Sequence, residues 1–195
     1  MQITIPSTTQ ALIFDLDGTL ADTMPAHMKA WVRAANHFNA PMTEQLVQDW
    51  AGMASYKIVG MLNNKFGLSL DPKEVSEKKA ELFFEIQGSG VKPIQPVYDI
   101  AEKYKDILPM GIGTGSRTPN AEKILDGLGI RSWFKSLVSA DDVENHKPAP
   151  DTYLKCAEEL GIAPKYCLVF EDADFGVDAA KSAGMEVIDI RNFIS

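Results

Sequence analysis

The sequence predicts an α/β protein built on a parallel sheet, and three observations carry that expectation. Short apolar runs that end in turn residues fall at 11–14, 108–113, 136–139, 167–170 and 186–190. Segments with apolar residues at helical spacing, many opened by proline and closed by glycine, separate the later runs, and strands alternating with such helices build βαβ units. Carboxylates and hydroxyls gather where the runs end, the place where open α/β sheets collect ligands.

The elements follow in order. Residues 1–10, with Pro6 and several hydroxyls, read as a poorly ordered leader or an edge segment. The first strand runs four apolar residues into Asp15, and Asp17 follows before the Gly18-Thr19 turn. Side chains two apart on extended chain point the same way, so both acids can face one site. Two carboxylates this close repel unless a cation or a proton lies between them. Met28, Trp31, Val32, Ala35 and Phe38 mark a helix over 24–38, and a second spans 43–50. Ile58, Val59, Met61, Leu62 and Phe66 mark a third, ending near Gly67. Asp71-Pro72-Lys73-Glu74 combines an N-cap, a proline at the first helical position and a glutamate at the third, which starts a helix. That helix runs to about Gln87, and Gly88-Ser89-Gly90 closes it. No strand pattern interrupts 24–87, so this stretch reads as a helical insert. Beyond it, helices are expected over 96–104, from Pro119 to Leu128, from Pro150 to Gly161, and after Asp172 as far as Gly184.

Bulk properties narrow the function. The 195 residues suffice for one core and a small second unit. A net charge of −8, from 19 basic and 27 acidic residues, argues against nucleic acid or an anionic membrane as the main partner. No apolar run approaches the roughly 18 residues of a spanning helix, and no signal-peptide pattern opens the chain. A cytoplasmic monomer with Cys156 and Cys167 as reduced, buried thiols is the expectation.

Four clusters sit at strand ends or in the loops beyond them: Asp15 with Asp17, Thr114 with Ser116, Lys147, and Glu171 with Asp172. The acids supply hard oxygen ligands suited to Mg²⁺, while His27, His37 and His146 are too scattered to suggest zinc. Thr114-Gly115-Ser116, leading toward a helix start, makes a phosphate cradle, and Lys147 supplies a point charge. A carboxylate nucleophile, a metal and a phosphate cradle together serve phosphoryl transfer through an aspartyl-phosphate. Asp141-Asp142 reads as a solvated turn, Asp174 as a helix cap, and His37 and His146 as surface or supporting groups.

In order and spacing, Asp15-Leu-Asp-Gly-Thr, Gly113-Thr-Gly-Ser, Lys147-Pro-Ala-Pro-Asp and Phe170-Glu-Asp-Ala-Asp-Phe-Gly resemble the haloacid dehalogenase superfamily over nearly the whole chain. The resemblance implies a Rossmann-like parallel sheet with helices on both faces, from residues 1–22 and 90–195, and a small helical cap over 23–89. The insert resembles the cap of the β-phosphoglucomutase-like branch. Asp22-Thr-Met-Pro-Ala-His27 resembles a segment of that branch's short sugar-phosphate phosphatases, including those acting on fructose 1-phosphate. It implies further that Asp15 is the nucleophile and that Asp17 protonates the leaving oxygen and then activates water. Mg²⁺ would be held by Asp15, the Asp17 carbonyl, Glu171 and Asp172. Thr114, Gly115, Ser116 and Lys147 would hold the phosphate, with Arg117 as a second cation and His27 assisting Asp17.

One departure bears on the reaction. Where the mutases of that branch carry a cap arginine, three residues after a glycine, this chain has Ser55, followed by Tyr56 and Lys57. Without a guanidinium to hold a second phosphate, a bisphosphate intermediate is retained less well. Met53, Ser55, Tyr56 and Lys57 form the expected substrate-contact loop. Hydrolysis of a small sugar phosphate is therefore expected, with β-phosphoglucomutase as the alternative. A signalling receiver domain also combines acids, a hydroxyl and a lysine, but it has no use for an insert over its site.

Overall fold

The structure is a computed structural model, and it describes residues 3–88 and 90–194. Among these residues five parallel strands form one sheet in the order β3-β2-β1-β4-β5. The strands are β1 (Ala11–Phe14), β2 (Met110–Gly113), β3 (Ser136–Val138), β4 (Cys167–Glu171) and β5 (Glu186–Asp189). The chain starts in the middle strand, extends the sheet to one side through β2 and β3, and then returns to the other side of β1 for β4. That reversal opens a crevice at the carboxyl ends of β1 and β4.

β1 is apolar throughout because it is buried on both faces, with Ala11, Leu12, Ile13 and Phe14 all at 0% exposure. Leu12 and Phe14 face one layer, where Phe14 stacks on Phe170 at 4.7 Å and meets the edge of Phe134 at 5.9 Å. Ala11 and Ile13 face the other, with Tyr153, Cys156 and Ala179. Burial of each large side chain here stabilises the fold by about 1.5–3 kcal/mol relative to exposure. α5 (Gln95–Tyr104) and α6 (Thr118–Leu128) cover the first layer, and α7 (Asp151–Leu160) and α8 (Asp174–Ser182) cover the second.

The helical stretch between β1 and α5 contains α1 (Met24–His37), α2 (Glu44–Asp49), α3 (Ser55–Phe66) and α4 (Pro72–Gln87). It has an apolar cluster of its own around Trp31, Trp50, Ile58, Leu62 and Val75. Ala26, Ala30 and Ala34 of α1 and Leu82 and Phe83 of α4 instead join the main core. Small residues on α1 let α4 pack closely, and this pair seats the helical stretch on the layer over the sheet. The chain enters and leaves the insert side by side: Ala21 bridges to Pro93, and Asp22 N–H donates to the Lys92 carbonyl.

Most element bounds match the sequence reading to within two residues. The Asp71 carboxylate caps α4, accepting from Lys73 and Glu74 N–H. The glycine closure of that helix includes Ser89, which lies outside the described residues. The leader is a correction: Ile3 and Ile5 pack half-buried against the main core, so the segment is anchored by apolar contact and takes no place in the sheet. Asp174 is another, because α8 is capped at Ala173 without a side-chain bond, and Asp174 is exposed and paired with Arg191 at 2.8 Å. Cys156 and Cys167 are free and buried. Among the described residues no helix is long and apolar enough to cross a membrane.

Candidate active site

Asp15 follows the last residue of β1, and its N–H continues the ladder by donating to the Phe170 carbonyl at 3.0 Å. This fixes the carboxylate at the mouth of the crevice, where it is 4% exposed. Lys147 reaches it from the buried side. Lys147 Nζ donates to Asp15 Oδ1 at 2.6 Å and to Glu171 Oε1 at 2.7 Å. Burial alone would strip the lysine of its charge, but the two carboxylates hold its pKa above the ordinary value. For Asp15 burial dominates and pushes the carboxyl well up; Lys147 opposes this, and the charges of Glu171 and Asp172 add to it. Asp15 Oδ2 has no hydrogen-bond partner among the described residues.

Asp17 differs in its surroundings. Its Oδ1 accepts from Thr23 Oγ1 at 2.7 Å and faces His27 Nε2 at 2.8 Å, and its Oδ2 accepts from Ser116 Oγ at 2.6 Å. Burial opposes ionisation, yet the His27 contact and the hydroxyl donors hold the carboxyl far below its ordinary range. A charged His27 would be needed for the full effect, whereas burial and Lys79 push the His27 pKa down. The hydrogen bonds resolve this conflict. Lys79 Nζ lies 2.6 Å from His27 Nδ1; an ammonium there donates to Nδ1, so a neutral imidazole carries its proton on Nε2 and donates to Asp17. The carboxylate then rests ionised with three donors and no charged imidazole.

Lys79 is absent from the residues singled out in the sequence. It projects from α4, is 5% exposed, and has its pKa pulled down by burial to about 8. The His27 ring that it touches stacks on Phe83 at 4.1 Å and 15°, so the relay Lys79–His27–Asp17 is held by the same α1–α4 pair that seats the insert.

The acid cluster can take a cation. One oxygen from each of Asp15, Glu171 and Asp172 falls within 4.8 Å of the others. Burial first, and the Glu171 charge second, push the Asp172 carboxyl up to about 7, which marks a negative site short of positive charge. Asp172 Oδ1 accepts from Thr19 Oγ1 at 2.7 Å, and its second oxygen is free of hydrogen bonds among the described residues. Glu171 is the least available of the three. Oε1 accepts from Lys147 and Tyr153, and Oε2 accepts from the N–H groups of Asp172 and Ala173. Glu171, expected as a ligand, stands within this cluster with both oxygens also engaged by donors, through which it fixes Lys147 and the turn that carries Asp172.

Above Asp15 and Asp17 lies a cavity of about 60 Å³, which Thr114, Gly115, Ser116, His27, Ser55 and Lys79 also line. Thr114 N–H donates to the Val138 carbonyl, and Thr114 Oγ1 accepts from Ser116 N–H at 3.0 Å, which shapes the turn at the end of β2. A Cβ on Gly115 would lie 2.9 Å from the Gly52 carbonyl, so glycine here lets the 52–53 loop of the insert close over the turn. Trp31, Trp50, Met53 and Ile58 supply the apolar roof.

Other sequence expectations land elsewhere. Arg117 does not line this cavity; its Nε donates to Asp141 Oδ1 at 3.0 Å, and the pair is exposed. Asp141 is more than a solvated turn: its carboxylate also accepts from Thr118 N–H at the start of α6, and these bonds hold its pKa down against burial. His146 is buried, at 4% exposure, against the edge of the Tyr56 ring, and its carbonyl accepts from Lys57 Nζ at 3.2 Å. Tyr56 and Lys57 thus contact the loop carrying Lys147, whereas Ser55 and Met53 line the cavity.

The haloacid dehalogenase-like hydrolase family matches residues 12–190. The chain is 40% identical over 180 residues to "Fructose-1-phosphate phosphatase YqaB" of Escherichia coli (strain K12), covering 92% of this chain and 95% of that protein. It is 34% identical over 187 residues to the "Phosphorylated carbohydrates phosphatase" of Thermotoga maritima, covering 92% and 83%. Its fold is similar to the crystal structure of β-phosphoglucomutase from Clostridium difficile, with a TM-score of 0.82, 26% identity and coverage of 92% and 83%. The chain belongs to the haloacid dehalogenase-like hydrolase family.

Proposed function

We propose that this protein is a Mg²⁺-dependent phosphatase that hydrolyses a small sugar phosphate through an aspartyl-phosphate on Asp15. The observation that carries the reading is the division between two acids facing one cavity. Asp15 keeps one oxygen free while Lys147 neutralises the other; Asp17 has both oxygens engaged by donors. A carboxylate with an open oxygen can attack phosphorus, and one held in a donor network can exchange protons. The phosphatase names of the two relatives support the same reading, and fructose 1-phosphate is the substrate to test first.

In this reading residues 23–89 act as a cap over the domain formed by 1–22 and 90–195. Asp15, Asp172 and the Asp17 backbone carbonyl would hold Mg²⁺, which supplies charge neutralisation for the phosphoryl oxygens. Lys147 orients Asp15 and balances the phosphate charge. The Thr114 hydroxyl and the Gly115 N–H face the phosphoryl oxygens as donors, and Ser116, by engaging Thr114 Oγ1 and Asp17, holds the turn that presents them. Asp17 relays to the sugar oxygen, as it leaves, a proton that Lys79 supplies through His27, and the proton taken from the water that opens the aspartyl-phosphate returns along the same path. The roof of Trp31, Trp50 and Met53 excludes bulk water until the sugar departs.

Ser55 at the cavity wall favours water over a second sugar oxygen as the final acceptor, since no guanidinium from the insert retains a bisphosphate there. The test is phosphate release across a panel of hexose, pentose and sugar-acid monophosphates, with and without Mg²⁺. Conversion of β-glucose 1-phosphate to glucose 6-phosphate without free phosphate would instead establish the mutase.

A further inference from the structure

Beside the cavity over Asp15 lie two adjoining hollows of about 200 and about 380 Å³. Ser55 lines both of these and the catalytic cavity as well, so the two hollows border the cavity that holds the reacting atoms. Ser76 and Arg117 also line both hollows, and Asp141 lines the larger. Ser76 Oγ is buried without a hydrogen-bond partner. A buried hydroxyl without a partner is uncommon and calls for a ligand or a water. Arg117 would be a docking point for an anion, but Asp141 sits on its Nε at 3.0 Å and is itself pinned by Thr118 N–H.

We infer that this groove takes the uncharged, hydroxyl-bearing far end of the substrate, and that Asp141 is a specificity-determining residue that rejects a second phosphate. The inference rests on the proposed phosphatase reading and deepens it. A guanidinium paired with a carboxylate offers no net charge to a dianion, and the carboxylate repels it. The same carboxylate can accept from sugar hydroxyls, and Ser76, which borders both hollows, carries a hydroxyl that no group among the described residues engages. Lys73 at the rim of the larger hollow is a single, flexible ammonium that does not replace a bidentate fork. Lys79, at the inner end, is already committed to His27.

The discriminating measurement is the ratio of kcat/KM for fructose 1,6-bisphosphate to that for fructose 1-phosphate, at low ionic strength where exposed charges act most strongly. Asp141→Asn should raise this ratio about tenfold, because one repulsive charge is removed and Arg117 is freed. Arg117→Gln should lower it, since Asp141 is left unbalanced, and the double variant should fall between the two. Ser76→Ala should raise KM for fructose 1-phosphate more than it lowers kcat. A purely structural role for Asp141 at the start of α6 would depress both substrates together and leave the ratio unmoved. An unmoved ratio in both single variants overturns the inference while phosphate release by the unmodified protein upholds the phosphatase. No phosphate release from any monophosphate overturns both. Should Asp141→Asn fail to fold, Asp141→Ser, whose hydroxyl can still accept from Thr118 N–H at the start of α6, takes its place with the same expected rise in ratio.

Discussion

Lys79 on α4 reaches across 52 residues of sequence to place its ammonium 2.6 Å from Nδ1 of His27, and so sets the tautomer with which His27 addresses Asp17. A buried lysine is a costly way to orient an imidazole. Its pKa falls from 10.5 to about 8, so between those values the unfolded chain binds more protons than the folded one. Stability therefore rises with pH over that window, and at pH 7 the buried charge is at its most unfavourable. Replacing Lys79 with methionine should raise the melting temperature at pH 7 by a few degrees, on the order of 1 kcal/mol. It should also lower kcat by about a hundredfold through the loss of a positioned proton network. The difference in melting temperature between the two proteins should shrink as pH rises from 8 to 10.5, and a constant difference would sink the assignment.

Asp15→Asn keeps the size of the side chain and removes the nucleophile. Turnover should drop on the order of 10⁴-fold or more, while circular dichroism and melting show an intact fold. Residual activity near that of the unmodified protein would show that attack occurs elsewhere.

The Asp172 carboxyl sits near pH 7, above its ordinary value of 3.8. Between these values the folded state holds a proton that the unfolded state has lost, so without divalent ions stability should fall as pH rises from about 4 to about 7. Magnesium replaces the proton. At a concentration one hundred times its Kd it should stabilise the protein by about 2.7 kcal/mol near pH 7.5, and by less at pH 5. Differential scanning fluorimetry with and without a chelator reads both; equal stabilisation at the two pH values would contradict a site made of these acids.

Gly176 is hidden from function by its position on α8. A Cβ there would fall on the Glu171 carboxylate, which cannot move without releasing Lys147, Tyr153 and the turn at Asp172. Gly176→Ala should cost about 1–3 kcal/mol by overpacking and reduce kcat at least tenfold by displacing Lys147 from Asp15. A fully active, fully stable variant would show that Glu171 is not needed where it stands.

The sheet and the site at its carboxyl ends were legible because apolar runs ending at Asp15, Thr114 and Glu171 state both the strand and its polar exit. Lys79 was not legible from residue type, since Lys78 beside it is solvent-facing and paired with Glu81 at 2.9 Å. Its helical phase held the signal: Val75, Lys79, Leu82 and Phe83 are the buried residues of α4 and share one face, so a lysine occupies a core position. The partners of Glu171 and Arg117 could not be read from the motifs. A motif names a side chain but does not show that other donors or acceptors already occupy it. Tyr153 and Asp141 come from separate segments, and only the fold brings them to Glu171 and Arg117.

The bridge between Ala21 and Pro93 ties the two ends of the helical insert together at a single doorway. Because the exits are neighbours, the segment closes on itself without stretching the sheet. It can also lengthen, shrink or be exchanged for another segment at little cost in chain closure. Substrate preference in such a chain can therefore change by replacing what hangs on the ribbon while Asp15, Lys147 and Glu171 stay where the strands put them.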